Sequence, residues 1–531
     1  MTTARPHPDD ATRIILDRLS NCEPIAHIEQ QLNARPGPNG QPSTLALCLA
    51  IAILANGNSP YTHGAACEAL EKLPLDIQQR LGLPTQRTGP RDTDRVCTLT
   101  YDQVVHRFSQ VHTQALKLYD DLNDFVAACI KAALPEHVAT TVQNIVIDGT
   151  FLPTNHASRR RQELLDDPNC DADYQRRDKG NPDDNQFKTK QGPGYLLQGS
   201  HYYDPYDQTV SPYILAFEIA PGSAHEGKVS AQLLEQVTIN HPILDLVVVD
   251  GVMGGDPDFH EAVRKHHGDV IFRPTNNQQN AIVQHPLGFI LWQGRVLPAG
   301  TDIDMLATRP DGTRWTPNRV PRAVDYKNDP DGHQAAITEW LNLFARIDQH
   351  ARRHITRPTL DRTFRIDATP TELDRLHGHP PPPPDQPTTT TIRASDFRLN
   401  TWQPFPYGTA EWLHLHAAAR SRNESGMGDL RNRTGLRGGP DGIRIRGRTR
   451  WKLLGAVHSL VRNLQFSNIL IPNTKRIPKR TSNRKIRTPK AALTRLHREL
   501  RRRAAARQQL ADALTATGPT DTPANAPPDR A

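Results

Sequence analysis

The sequence predicts a mixed α/β protein: a sheet flanked by helices, preceded by a helical region and interrupted by a mainly β insertion before its last helices. Three observations carry this. Apolar runs at Asn144–Asp148 and Leu244–Asp250 both close on Asp-Gly, as short buried strands do. Stretches of helical period alternate with the strand-like runs, at Glu226–Val237 and Asp258–His267. The first 140 residues, by contrast, show helical periodicity throughout.

Taken in order, Ala11–Leu19 places Ile14, Ile15 and Leu19 at helical spacing, and Ser43-Thr44 is a cap for the run Leu45–Leu54. Ala65–Leu70 and Leu75–Leu81 are short amphipathic pieces. Tyr101–Ile130 reads as one longer pattern, with Val105, Phe108, Val111, Ala115, Leu116 and Leu122 on one side. Short helices joined by polar turns can include a helix-turn-helix that reads DNA or form an ordinary packing domain, and no recognition helix stands out. After the strand at Asn144, Ala157–Gly192 is a polar loop. Strands follow at Tyr195–Tyr203 and Val210–Ala220 around the turn Asp204–Asp207, and again at Asp269–Pro274. Ile282–Leu297 and Thr313–Val324 look like β segments and Gln334–His350 like a helix. His377–Pro387 is a proline run, hence a loop or linker. Helical spacing resumes at Thr409–Arg422, Trp451–Leu464 and Ala491–Ala511. The expected organisation is a helical, DNA-binding region over 1–140, a catalytic core over 141–275 and 409–470 split by an insertion over 276–408, and a basic, partly disordered tail over 471–531.

The chain has 531 residues, 36% of them hydrophobic, enough for a folded core, and its 45 prolines against 33 glycines point to linkers. The most apolar stretch, Leu45–Leu54, falls far short of the ~20 residues that span a bilayer. The start has no signal-peptide layout, and six scattered cysteines form no C-x-x-C pair, so a reducing cytoplasm is expected. The net charge of +8 is segregated: residues 474–508 hold 14 Lys/Arg against Glu499, and 420–462 hold 11 against three acids. Two adjoining basic segments suit a phosphate polymer through counterion release. An isolated basic stretch can also be a merely solvated face, and an anionic membrane surface fits less well because no apolar helical face accompanies the arginines.

Asp148 and Asp250 sit where strands of an open sheet end, the place where ligands of such sheets collect. Two carboxylates on neighbouring strands repel each other unless a cation lies between them, and hard oxygen donors suit Mg²⁺ or Mn²⁺. Two such ions, about 3.5–4 Å apart, serve phosphodiester chemistry. Asp-Gly is also a common turn dipeptide, so the pair needs company. A third acid, Glu424, lies in a basic helical stretch with Arg420 four residues before it and Arg431 seven after, all on one helical face; a surface ion pair is the plain alternative. Gly251–Gly255 lacks the phosphate-loop lysine, the twenty-three histidines form no distinctive set, and no Ser or Cys has a nucleophile's context.

Asp148, Asp250 and Glu424, on strand, strand and helix, resemble the DDE transposases of bacterial insertion sequences. One large group of these carries Tyr-(two)-Arg-(three)-Glu-(six)-Lys around its last acid; here Ala417, Arg420, Glu424 and Arg431 stand at those positions, so the Tyr is absent and the Lys is replaced by Arg. Gly194–Ser200, Ala220–Gly222, Ile443–Trp451 and Val461–Leu464 extend the resemblance. It implies a ribonuclease H-like catalytic domain, two divalent ions held by Asp148, Asp250 and Glu424, and double-stranded DNA (element ends and target) as partner. It also implies a homodimer or higher synaptic complex in the bacterial cytoplasm, at the nucleoid. Arg420 and Arg431 are then expected on backbone phosphates. Arg444, Arg446, Arg448, Arg450 and Lys452, together with Lys475, Arg476, Lys479, Arg480 and the segment running on to Arg503, are expected to grip DNA without regard to sequence. The rival readings are a non-catalytic DNA-binding protein derived from a transposase and a metal-dependent nuclease of the same fold.

Overall fold

The computed structural model describes residues 8–33, 41–90, 95–153, 173–177, 190–207, 209–222, 224–275, 282–285, 289–293, 295–298, 302, 329–351, 363–367, 389–393, 402–438, 442–470 and 488–517. The expected strand at Thr313–Val324 and the proline run His377–Pro387 lie outside them.

Seven helices open the chain: α1 (Pro8–Ser20), α2 (Glu23–Asn33), α3 (Thr44–Asn56), α4 (His63–Glu71), α5 (Leu75–Arg80), α6 (Tyr101–Leu118) and α7 (Asn123–Lys131), with a small hairpin β1 (Thr85–Arg87) and β2 (Arg95–Cys97) between α5 and α6. Ser43 caps α3 as expected, its hydroxyl accepting from the Ala46 N–H. The single long pattern read over Tyr101–Ile130 is in fact two helices. The chain turns at Asp121 and Leu122, whose φ values of 44° and 61° lie in the left-handed region. The turn is held from both sides: the Asp121 carboxylate pairs with Arg448 at 3.2 Å and Lys452 at 3.1 Å, while Leu122 is fully buried.

The central sheet has six strands: β3 (Val142–Pro153), β4 (Asp173–Arg177), β5 (Lys190–Tyr202), β6 (Ile214–Pro221), β7 (Ile243–Val249) and β8 (Asp269–Phe272). β6, β5 and β3 are antiparallel neighbours, β7 and β8 run parallel to β3, and β4 adds a short antiparallel pairing to the start of β5. The order β6-β5-β3-β7-β8 places the two Asp-Gly strands side by side. Helices α8 (Glu226–Asn240), α9 (Gly251–Gly254) and α10 (Pro257–Lys265) make the crossovers. Every residue of β7 is buried, which fits a strand covered on both faces.

A three-stranded antiparallel meander follows, β9 (Ile282–His285), β10 (Phe289–Trp292) and β11 (Arg295–Pro298), then α11 (Pro330–Ala351) and the hairpin β12 (Thr363–Asp367) with β13 (Thr389–Arg393). These elements fall within residues 276–408, the span expected as an insertion. Among the described residues three helices follow: α12 (Ala410–Arg433), α13 (Arg448–Phe466) and α14 (Lys490–Thr517).

One sheet face, with Val146, Leu246, Val248 and Ile271, packs on α12, α14 and the insertion through Trp412, Leu415, Leu496 and Trp340. The opposite face, with Ile145, Ile147 and Val247, packs on α8 and α10. The N-terminal helices share a continuous core with α13 and with Leu197, Phe217 and Ile219 of β5 and β6. Helix α13 is buried from Trp451 to Gln465, and several of its polar groups find partners; the Asn463 amide, for example, both donates to and accepts from the Ile214 backbone. Among the described residues, no helix is long and apolar enough to cross a membrane.

Candidate active site

The parallel register pairs Val146 with Val248, which sets Asp148 and Asp250 level with each other two residues further along adjacent strands. Asp250 follows the last residue of β7, as expected. Asp148 does not end its strand. β3 continues antiparallel to β5 as far as Pro153, so Asp148 lies mid-strand, just past the point where parallel pairing with β7 stops. Strand alternation puts Val146, Asp148 and Thr150 on one face, the face covered by α12. Each aspartate accepts the N–H of its following glycine, at 2.8 Å for Asp148 and 2.7 Å for Asp250. The Asp-Gly pair therefore fixes each carboxylate locally instead of making a hairpin turn.

Helix α12 is anchored across this edge. The Trp412 indole N–H donates to the Phe272 carbonyl at 3.1 Å and the Tyr203 hydroxyl to the Leu415 carbonyl at 3.2 Å. The helix continues past Gly426 and Gly428 to Arg433. At Gly426 a Cβ would meet the His201 ring at 2.6 Å, so the missing side chain lets the helix lie close to the sheet. Arg420 reaches Asp250 at 3.3 Å, and Arg431 donates to the Thr150 hydroxyl at 3.1 Å. Position 424 falls between these two arginines on the same helical stripe; the Glu424 side chain itself lies outside those described. Asp148, Asp250, His416 and Arg420 line a cleft of about 20 Å³, enough for one water-sized guest.

Burial pushes the Asp148 carboxyl up to about 6; the Gly149 N–H works against this, Asp250 and Glu226 add to it, and Arg420 opposes it. Glu226, in the first turn of α8, was not evident as a site residue because helix starts commonly carry acids. His416 was also missed, although it sits one helical turn before Arg420. It stacks on Trp412 with centroids 4.7 Å apart, and burial together with the Arg420 charge holds it down near 4, hence neutral. Two converging carboxylates, one raised partly by the charge of the other, fit a hard divalent cation between them. Among the described residues no three His, Cys, Asp or Glu side chains gather as a ready metal cluster.

The residues expected on DNA divide. Arg444 and Arg446 are exposed, and Arg450 is half-buried on the rim of a separate groove. Arg448 is half-buried and pairs with Asp121. Lys452 corrects the expectation: it is fully buried, its ammonium 2.6 Å from Glu218 and 3.1 Å from Asp121, so it holds α13 to β6 and to the α6–α7 turn. Glu218 beside it is pushed up by burial and pulled back by Lys452. Arg503 is likewise withdrawn from the surface, 2.7 Å from both Asp245 and Asp269, and α14 is a packed helix over that stretch. Lys475, Arg476, Lys479 and Arg480 lie outside the described residues.

Residues 143–437, a span containing Asp148, Asp250 and Glu424, match the family model described as a transposase DDE domain. Comparison with curated proteins gives no match.

Proposed function

The chain belongs to the transposase DDE domain family, and on that premise we propose that it cuts phosphodiester bonds at the ends of its own mobile element and joins the freed 3′-OH to target DNA. The observation that carries this reading is the register that sets Asp148 and Asp250 side by side beneath the helix bearing Glu424. Asp148, Asp250 and Glu424 would hold Mg²⁺ or Mn²⁺. Bound as a pair, these ions supply Lewis acidity to the attacking and leaving oxygens of an in-line displacement.

The protein's own groups orient the reactants. Asp148, which titrates near 6, is ionised at neutral pH and able to act as a ligand. Arg420, half exposed beside Asp250, offers its guanidinium to a phosphate at the cleft, and Arg431 does the same at Thr150, two residues beyond Asp148. Exposed Arg444 and Arg446 give sequence-independent grip, which Lys475, Arg476, Lys479 and Arg480 would extend. Two element ends brought together imply a dimer or larger assembly.

Asp148→Ala, Asp250→Ala and Glu424→Gln are each expected to abolish Mg²⁺-dependent strand transfer on gels while leaving duplex binding in EDTA unchanged. Strand transfer retained by any one variant removes that residue from the site. Hydrolysis without joined products would indicate a nuclease, and no metal-dependent nicking of plasmid by the unaltered protein would indicate a DNA-binding derivative.

A further inference from the structure

A second cavity, of about 700 Å³, opens between α4, α6 and the basic segment that leads into α13. One wall is aromatic. Tyr61, fully buried, hydrogen-bonds the His63 ring at 3.1 Å, and the Phe108 ring stands 5.5 Å from Tyr61 and 5.2 Å from His63. Tyr101, 6.1 Å from His63 and 55% exposed, leaves an aromatic surface at the mouth. The other wall carries Arg444, Arg446 and Arg450, and among the described residues no carboxylate lines the cavity. The walls are joined beside it by a 2.8 Å hydrogen bond between His112 and Thr449.

This pairing of ring faces with arginines selects a partner that is both flat and anionic. A double helix offers phosphates but keeps its base faces stacked, and the cavity is far smaller than a duplex whose major groove alone is about 12 Å wide. An unpaired strand offers both groups at once. The basic segment is also within reach of the cleft. The Gly447 N–H donates to the Tyr195 hydroxyl at 3.2 Å, and Tyr195 pairs with Leu152, four residues beyond Asp148. The component of that separation along the strand is about 13 Å, a length that a few unpaired nucleotides span.

We propose that this groove holds unpaired nucleotides of the substrate DNA next to the cleavage point, with bases against Tyr101 and His63 and phosphates on Arg444, Arg446 and Arg450. The assignment rests on the reading of the chain as a DNA-cutting transposase, and it names the form of DNA that the protein takes.

The test compares, in EDTA, the fluorescence anisotropy of a labelled blunt duplex and of the same duplex bearing a four-nucleotide single-stranded extension of either polarity. The unaltered protein is expected to bind one extended form about tenfold more tightly than the blunt one. Tyr101→Ala should remove that preference and keep blunt binding, and Tyr101→Phe, which retains the ring, should restore it. Gly64→Glu is a second variant: a Cβ there meets nothing within 4 Å, so the change adds a carboxylate to the cavity lining without a clash. It too should remove the preference. Equal binding of all forms by the unaltered protein overturns the proposal. So does a preference that survives both Tyr101→Ala and Gly64→Glu, or one that is lost only together with blunt binding. An intact preference without any metal-dependent strand transfer would instead sink the catalytic reading and leave the groove standing.

Discussion

The two ends of β7 carry the same kinds of groups and put them to opposite use. At its start, Asp245 and, on the neighbouring strand, Asp269 face Arg503 and Arg507 from α14, two acids against two bases, with every side chain no more than 9% exposed. At its finish, Asp250 and, on the other neighbour, Asp148 face Arg420 from α12, with Asp250 and Arg420 41% and 47% exposed. The first set is charge-balanced and closed. Among the described residues the second sets one arginine against two acids, and Asp250 is partly open to solvent. What distinguishes a structural aspartate pair from a candidate ligand pair in this sheet is the count of arginines and access to water, not the residue type.

Three substitutions test that contrast. The largest effect is expected at the closed end. Arg503→Met leaves two buried carboxylates without their nearest partner and should lower unfolding stability by about 3–5 kcal/mol in urea titrations, whereas replacing Asp245, Asp269 and Arg503 together by apolar residues should recover most of the loss. An Arg503→Met protein as stable as the parent would erase the distinction between the two ends.

At the open end the sign reverses. Asp148 titrates near 6 in the folded chain against an ordinary 3.8, so the native state binds its proton more tightly than the unfolded state does. Stability therefore falls as pH rises from about 4 to about 6, and the penalty persists above that window. Asp148→Asn should stabilise the metal-free protein by up to about 3 kcal/mol at pH 8 and by nothing at pH 4. A stability difference that does not change with pH would remove Asp148's burial from the explanation.

The smallest stability effect belongs to Arg420→Gln. Its half-exposed pair with Asp250 is worth no more than about 1 kcal/mol, so the urea midpoint should barely move. Strand transfer should nevertheless drop clearly, because the phosphate loses a partner at the cleft. Loss of stability comparable to Arg503→Met would show that the open end is structural after all.

The sheet was legible in the sequence because β7 is apolar except at Asp245 and because the crossover helices keep a clean period. Asp148 and Asp250 were found for that reason. The full length of β3 was hidden, since Gly149 reads as a turn when its role is to donate its N–H to Asp148. Helix α2 escaped notice, and the break at Asp121 depends on Arg448 and Lys452 more than 300 residues away, which no local pattern reports. Charge counting along the chain misjudged Lys452 and Arg503 for the same reason: linear density says where cations are plentiful, but only packing shows which of them Glu218, Asp245 and Asp269 have already claimed.

The clamp on Asp245 and Asp269 also orders events in time. Arg503 lies 234 residues downstream of Asp269, so at 5–20 residues per second the ribosome takes about 12–47 s to deliver the neutralising arginine after the second acid has been made. During that interval the growing polypeptide holds Asp245 and Asp269 without the arginine that neutralises them. The charge balance at that end of β7 is complete only once α14 has been translated.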